Sequence, residues 1–378
     1  MRHRVMCNLA AAASALVIAA CTAPGPPPTS APAPAREARV LSDPAPDTDG
    51  VLRVLVLHDM EGLAGQDDAR MFRFSHPEHY ARGRALLTAD VNAVIAGLFD
   101  GGAGDVHVVD GHGSGNADPD LLLDQLDARA TLVTRDEAFR QYVDLVEPGV
   151  YDAVAVVGMH AKTGSGGFAS HTFTLGMDII MNGMSITETE LVAYSFGRAG
   201  VPVIFASGDD RLEADLETMP WLEYVVTKRA TSASTVELIP VDEVRAALRS
   251  GAQRAMERRG EMRAMTLSTP VTAALRAVPP ARLSMLRGVP GIDYGDDRVT
   301  FTAPDFEAAY DGVIVLIGVA RLGYASVLDE TIRAREDGQA IFDLNADRLF
   351  DRWLDVESGR WTAPAPLPPA PRKHHGAR

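Results

Sequence analysis

The chain has 378 residues, enough for about two domains of ordinary size or one large α/β unit. Its 36 Lys and Arg residues against 51 Asp and Glu residues give a net charge of −15, and 46% of its residues are hydrophobic. This composition is typical of an ordinary globular protein and argues against nucleic acid as a partner, because phosphate binding needs clustered Lys and Arg. The two cysteines, Cys7 and Cys21, precede the region predicted to fold, which excludes a disulfide scaffold, a cysteine zinc site and a cysteine nucleophile there.

The N-terminus has the pattern of a secretion signal, predicted to comprise residues 1–20. Arg2 and Arg4 precede an apolar run, Leu9–Ala20, which is shorter than the roughly 20 residues needed to span a bilayer. The run ends in Ile18-Ala19-Ala20-Cys21, which resembles a bacterial lipobox. That resemblance implies cleavage before Cys21 and lipidation of its new N-terminus. An ordinary cleaved signal peptide with an incidental cysteine is the alternative.

Two segments rich in Pro and Ala flank the predicted folded region. Residues 21–50 are predicted to be a tether and residues 362–378 a disordered tail, because neither composition can bury enough apolar surface to fold. His374 and His375 in the tail are predicted to be solvated or incidental rather than metal ligands. An acidic residue directly after the lipidated cysteine is associated with retention in the inner membrane. The residue after Cys21 is Thr22, which favours the outer membrane. We therefore expect a lipid-anchored, periplasm-facing protein of the bacterial cell envelope.

Four runs of β-branched and aliphatic residues predict strands that are buried on both faces of a parallel sheet. They are Val51–His58, Asp105–Asp110, Asp152–Gly158 and Val201–Ser207. Stretches with helical spacing separate them, at Tyr80–Phe99 and Thr187–Arg198. Residues 51–210 are therefore predicted to be an α/β domain with a central, mostly parallel sheet flanked by helices. Asn182-Gly183 predicts a hairpin that adds an antiparallel ribbon to this sheet.

The second half of the chain is less regular. Residues 211–320 predict a second, smaller α/β segment, with helices at Val241–Arg259 and Asp305–Ala320 and a strand at Arg298–Thr302. Residues 321–361 predict a helical C-terminal extension, in which Asp329–Asp355 forms one or two helices.

Polar residues follow each of the four predicted strands. Asp59 and Glu61 come after the first strand, Asp110 and His112 around the end of the second, His160 after the third, and Asp209 after the fourth. Ligands of open α/β sheets bind outside the carboxyl ends of the strands, so these four loops are expected to converge on one crevice.

Crowded carboxylates repel one another unless a positive charge lies between them, and a metal ion supplies that charge. Asp, Glu and His are the ligand set expected of catalytic zinc, and carboxylates commonly bridge two such ions. Glu188, at the start of a predicted helix, is a plausible further ligand. Taken singly, Asp59 and Asp209 could equally cap helices, Glu188 could match a helix dipole, and the remaining residues could be ordinary loop residues.

His171 stands apart from these strand ends. It follows a glycine-rich stretch, residues 163–167, that is predicted to be mobile. A histidine near a metal-bound water is a candidate general acid or base because its pKa lies near neutral pH.

The ordered motifs resemble one known family, the D-aminopeptidases of the DppA type, which are dinuclear zinc metallopeptidases. The motifs are DMEG at 59–62, DGH at 110–112, GMHA at 158–161, SHT at 170–172, the Asn-Gly hairpin followed by Glu188, and GDD at 208–210. The similarity extends from about Arg53 to Ala320 and includes Lys228-Arg229-Ala230-Thr231 and the PGI segment near Pro290. It excludes the lipobox, the tether and the C-terminal extension.

The resemblance implies two Zn²⁺ ions per subunit, held by Asp59, Glu61, His112, His160 and Glu188. It implies that His171 is the catalytic residue outside the metal shell. It also implies release of N-terminal D-amino acids from short peptides such as D-Ala-D-Ala, and assembly into homo-oligomers. His58 departs from the family pattern, which has a small residue before Asp59, and it could add a ligand or only pack beside the site.

Two other functions compete with this interpretation. One is a related periplasmic zinc amidase or peptidase with a different substrate, since metal ligands define a hydrolytic centre while the pocket defines the substrate. The other is a lipid-anchored binding protein that keeps the fold without the chemistry. The complete set of five ligands argues against the second.

Overall fold

The computed structural model describes residues 38–47, 49–113, 118–278, 283–295, 297–321 and 325–357, and the single residues 360, 362 and 375. The predicted signal peptide, Cys21 and most of the tether and of the proline-rich tail lie outside the described residues. Within the described ranges, no helix combines the length and the apolar character needed to cross a membrane.

A seven-stranded sheet forms the centre of the fold, in the order β10-β9-β8-β5-β2-β3-β4. All neighbouring pairs are parallel except β9 with β10, so the predicted class, an α/β fold with a mostly parallel sheet, is confirmed. The strands are β2 (Arg53–His58), β3 (Asp105–Asp110), β4 (Ala130–Leu132), β5 (Ala153–Met159), β8 (Val203–Asp209), β9 (Glu223–Ser232) and β10 (Thr235–Leu238).

Helices cover both faces of this sheet, which explains why its inner strands are apolar throughout. On one face, α1 (Pro77–Asp100) and α4 (Val241–Glu257) pack together over the sheet through residues such as Leu87, Val91 and Leu248. On the other face lies α2 (Glu188–Gly197), all of whose residues are buried. A capping box between Thr187 and Glu190 starts α2.

A second sheet of five antiparallel strands lies in the order β13-β14-β12-β6-β7. Its strands are β6 (Met177–Met181), β7 (Met184–Ser185), β12 (Val271–Ala277), β13 (Asp293–Tyr294) and β14 (Arg298–Ala303). The predicted Asn182-Gly183 hairpin is present, with both residues at positive φ. However, it joins this second sheet through β12 rather than the parallel sheet, so that part of the prediction is wrong.

Both sheets take strands from either side of residue 210. The parallel sheet continues into β9 and β10, while β6 and β7 belong to the antiparallel sheet. The remaining elements are β1 (Arg39–Ser42) paired with β11 (Ala264–Leu267), and the helices α3 (Asp210–Asp215), α5 (Phe306–Arg321), α6 (Ala325–Arg333) and α7 (Gly338–Glu357). Because β1 lies within residues 21–50, the prediction of an unfolded tether is wrong for that strand, which gains its backbone hydrogen bonds from β11.

The topology places a crevice next to β2. From β2 the chain runs outward through β3 and β4 on one side, then returns to build β5, β8 and β9 on the other. The order of the strands therefore reverses at β2 and β5. Ligands of open α/β sheets bind at such a point, outside the carboxyl ends of the strands.

Candidate metal centre

The residues that follow β2, β3 and β5 meet at this edge of the sheet. Asp59 and Glu61 are each 3% exposed and His160 is 2% exposed, so three ionisable groups are buried there. Burial of charged side chains is costly unless they are paired or bind a metal. Their arrangement therefore needs an electrostatic explanation.

One cluster consists of Asp59, Glu61 and His112. The His112 Nδ1 atom lies 2.9 Å from Asp59 Oδ1 and 3.3 Å from Glu61 Oε2. One possible ligand atom from each of the three residues lies within 4.8 Å of the other two. This grouping has the residue types and the spacing of a metal site.

A second cluster consists of His160, His171 and Glu188, again with ligand atoms within 4.8 Å of one another. The His160 Nε2 atom lies 3.4 Å from Glu188 Oε1 and 3.3 Å from Asp59 Oδ2. Asp59 therefore presents one oxygen to each cluster. The structure brings together the five predicted ligands and His171. A ring nitrogen of His171 lies within 4.8 Å of ligand atoms of His160 and Glu188.

The outer nitrogens of both histidines are bound to the backbone. His112 Nε2 lies 3.0 Å from the carbonyl oxygen of Phe72, and His160 Nδ1 lies 3.0 Å from that of Ala161. A carbonyl can only accept a hydrogen bond, so these nitrogens carry hydrogen. In the neutral rings, the nitrogens that face the carboxylates then hold lone pairs. Two sets of lone pairs repel each other unless a cation lies between them, and this arrangement fits metal ligation.

The close approach of histidines and carboxylates also shifts the pKa values of these groups. Burial disfavours the charged forms of His112 and His160, yet the neighbouring carboxylates hold the pKa of each ring well above its ordinary value. Burial acts to raise the pKa of Asp59, but hydrogen bonds with the same two histidines lower it well below its ordinary value. The cluster thus strongly favours positive charge at the points where the nitrogens and oxygens face each other.

Two glycines allow the ligand loops to approach one another. The amide of Gly62 donates to the Gly158 carbonyl at 2.8 Å, and a Cβ at residue 62 would lie 1.9 Å from the Met159 carbonyl oxygen. Gly158 has a φ of 72°, and a Cβ there would lie 2.5 Å from the carbonyl oxygen of Asp59. The glycines of the DMEG and GMHA motifs are therefore required by the packing of one loop against the other.

His171 lies in a strained loop next to His160. Ala169 and Phe173, on either side of it, have φ values of 52° and 59°, which non-glycine residues rarely adopt. Its Nδ1 atom lies 2.8 Å from the Ala169 carbonyl oxygen, and its ring stacks on that of His160. Burial, together with the positive His160 ring, lowers the pKa of His171. Strain of this kind is common at functional sites.

Two buried residues that support the ligands were given no role by the sequence analysis of single motifs. The Tyr142 hydroxyl donates to Glu188 Oε2 at 2.6 Å, while the Phe173 amide donates to Oε1 at 2.7 Å. The Lys228 ammonium donates to the Glu61 carbonyl at 2.6 Å. No sequence pattern marks Tyr142, which lies between the regular elements. Lys228 lies in the Lys228-Arg229-Ala230-Thr231 segment that shares the family resemblance, but the resemblance implied no role for it.

Other candidate residues take supporting positions. Asp209 caps α3 by accepting hydrogen bonds from the amides of Arg211 and Leu212. This is the helix-capping role that the sequence offered for Asp209 taken singly. His58 is fully buried, and within the described ranges neither of its ring nitrogens has a hydrogen-bond partner. His375 was predicted to be solvated or incidental rather than a ligand. Its Nδ1 atom lies 3.3 Å from Asp110 Oδ2 and its side chain is 15% exposed, so it is not solvated, but it belongs to neither candidate metal cluster.

A mostly parallel α/β sheet with two adjoining His and carboxylate clusters at its carboxyl edge has the features of a metal-binding protein whose site lies at the ligand-binding edge of the sheet. The sequence matches the profile of Peptidase M55, described as D-aminopeptidase, over residues 52–314. This match covers more than half of the chain, which therefore belongs to the M55 family of peptidases.

Two comparisons with known proteins agree with this assignment, the second of them as to fold. The chain is 26% identical over 266 residues to the D-aminopeptidase of Bacillus subtilis (strain 168), covering 69% of this chain and 95% of that protein. The fold is similar to a structure described as "Zn-dependent D-aminopeptidase DppA from Bacillus subtilis, a self-compartmentalizing protease". That comparison has a TM-score of 0.65 and 24% identity, and it covers 71% of this chain and 98% of the other. The resemblance to D-aminopeptidases is thereby confirmed.

Proposed function

We propose that this protein is a zinc-dependent aminopeptidase that releases N-terminal D-amino acids, such as D-Ala, from short peptides. Membership of the D-aminopeptidase family supports the class of reaction. One observation carries the proposal of a metal: the backbone bonds of His112 and His160 direct the other ring nitrogen of each towards Asp59, Glu61 and Glu188, and in the neutral ring that nitrogen would hold the lone pair a metal needs.

The two clusters suit two zinc ions with a shared ligand. Asp59 would contribute one oxygen to each ion, Glu61 and His112 would complete one site, and His160 and Glu188 would complete the other. Three carboxylates do not fully neutralise two divalent ions, so the centre keeps a positive charge. Zinc bound there would supply Lewis acidity and a water of lowered pKa.

His171 is suited to move the proton. Its Nδ1 is held by the Ala169 carbonyl, which leaves Nε2 as the free nitrogen, and burial keeps the ring neutral at neutral pH. Nε2 would take a proton from the attacking water as the new C–O bond forms. It would then deliver that proton to the leaving amine as the peptide C–N bond breaks.

The test of this function is hydrolysis by the full chain purified without chelators. We expect release of D-Ala from D-Ala-D-Ala and little release of L-Ala from L-Ala-L-Ala. Zinc removal should abolish the activity, and zinc should restore it. Equal turnover of both dipeptides would contradict the D-preference, and full activity without metal would contradict the zinc mechanism.

We further propose that Cys21 is lipidated and that the protein faces the periplasm from the outer membrane, as the lipobox-like segment indicates. Labelling with radioactive palmitate should be lost in Cys21→Ser. The related structure is described as self-compartmentalizing, which supports a homo-oligomer here too. A detergent-solubilised chain that is monomeric by light scattering would contradict that assembly.

A further inference from the structure

Lys228 is a fully buried lysine beside the candidate metal centre. Its side chain has 0% exposure, and within the described residues it forms no ion pair with a carboxylate. A buried ammonium without an ionic partner is costly, and an apolar side chain of similar length would fill the same space at lower cost. Packing alone therefore does not account for a lysine here.

Its three donor hydrogens have three oxygen acceptors on one loop. Nζ donates to the Glu61 carbonyl at 2.6 Å, to Gln66 Oε1 at 2.7 Å and to the Gln66 carbonyl at 3.3 Å. Gln66 in turn donates from Nε2 to the Met60 carbonyl at 2.6 Å. Lys228 and Gln66 together hold the carbonyls of residues 60 and 61, the peptide segment that follows Asp59 and carries Glu61.

The ammonium also contacts the segment that leads to His171. Nζ lies 4.2 Å from the ring centroid of Phe168, within the range of a cation–π interaction. The Phe168 amide donates to Asp209 Oδ2 at 2.7 Å, which anchors that segment to the start of α3. Lys228 therefore lies between the loop of two candidate ligands and the loop of the candidate acid/base.

We propose that Lys228 is a positioning residue that sets the orientation of Glu61 towards the metal by fixing the carbonyls of residues 60 and 61. The proposal rests on the zinc centre proposed above. Residues that orient metal ligands typically change metal affinity by roughly 10–100-fold when they are replaced. Since Lys228 touches the Glu61 loop and not Glu188, its effect should fall on the site formed by Glu61 and His112.

The test is zinc affinity of the full chain, measured by titration against a competing chelator. Lys228→Met keeps most of the side chain and removes all three donors. We expect it to weaken one zinc constant by roughly 10–100-fold. The effect should persist in a His160→Ala background, which retains the Glu61 and His112 site, and should disappear in a His112→Ala background.

Arg259→Met is the matched control. Arg259 also holds backbone carbonyls, those of Asp152 and Ala45, but at the opposite edge of the sheet. It should lower the melting temperature without changing zinc affinity. If Lys228→Met does not fold, Gln66→Leu tests the proposal in its place. It removes the hydrogen bonds of the Gln66 side chain to Lys228 and to the Met60 carbonyl, so it should weaken the same zinc constant.

The outcomes separate this proposal from the proposed function. If the native chain binds zinc and releases D-amino acids while Lys228→Met, or Gln66→Leu in its place, keeps both zinc constants within twofold, the positioning role is wrong and the function stands. If the native chain binds zinc with the expected Lys228 dependence but cleaves no D-peptide, the function is wrong and the positioning role stands. A native chain that binds no zinc overturns both.

Discussion

The imidazole rings of His160 and His171 stack at a centroid distance of 4.0 Å and an interplanar angle of 7°. The two rings differ in their environment. His160 faces two carboxylates, which raise its pKa, whereas burial and the neighbouring His160 lower the pKa of His171. Such a pair suits different tasks, one ring as a ligand and the other as a proton carrier.

His171→Ala should therefore abolish turnover and retain metal. We expect kcat to fall by roughly 10²–10⁴-fold, the usual contribution of a general acid or base, with zinc content unchanged by mass spectrometry. His107→Ala, which alters a histidine bound to Tyr151, serves as a control that should keep full activity. Loss of one zinc ion in His171→Ala would instead make His171 a ligand.

Asp59→Asn should weaken both metal sites at once. Asp59 presents Oδ1 to His112 and Oδ2 to His160, so an amide there removes a charged ligand from each cluster. After dialysis we expect less than half of the native zinc content, whereas Asp152→Asn, at the other end of the strands, should keep all of it. Retention of one full zinc ion per chain in Asp59→Asn would show that the carboxylate is not shared.

Tyr142→Phe tests the support of Glu188. Removal of the hydroxyl that donates to Glu188 Oε2 should weaken zinc binding by roughly tenfold and lower stability by about 1 kcal/mol. Tyr151→Phe is the matched control, because its hydroxyl bonds to His107 away from the clusters. An unchanged zinc affinity in Tyr142→Phe would mean that the Phe173 amide alone holds Glu188 in place.

Much of the site could be predicted because the strands end where their apolar runs end. The apolar run that contains β2 stops at Asp59, and the GMHA motif marks the end of β5. The same positions in the sequence therefore predicted both the strand ends and the polar residues that follow them. A parallel sheet buried on both faces leaves a strong signal in sequence. The placement of Asp59, Glu61, His112 and His160 followed from that signal.

The supporting contacts could not be predicted because they join distant segments without a local pattern. Tyr142 reaches Glu188 across 46 residues, and Lys228 reaches Glu61 across 167. The Asn182-Gly183 turn likewise specifies a hairpin but not the sheet it joins, since β12 follows far along the chain. Partner choice between distant segments depends on tertiary packing.

Asp90 provides a prediction for the pH dependence of stability. It is fully buried in α1, where Oδ2 accepts the Ala64 amide and Oδ1 accepts Arg245 Nε. Burial raises its pKa to about 6 from 3.8, so the folded protein binds this proton more tightly than the unfolded chain does. The contribution of Asp90 to stability is then largest below about pH 4 and is lost as the pH rises through about 6.

The free energy of unfolding of the native chain, measured relative to Asp90→Asn in chelator, should therefore fall by about 2 kcal/mol between pH 4 and 7. Chelator removes the contribution of pH-dependent metal release from both proteins. Asp100→Asn is the control on the same helix, because Arg249 lowers the pKa of that exposed carboxylate and the slope should be reversed and small. A difference between native chain and Asp90→Asn that stays constant with pH would show that Asp90 remains charged throughout, held by Arg245 and the Ala64 amide.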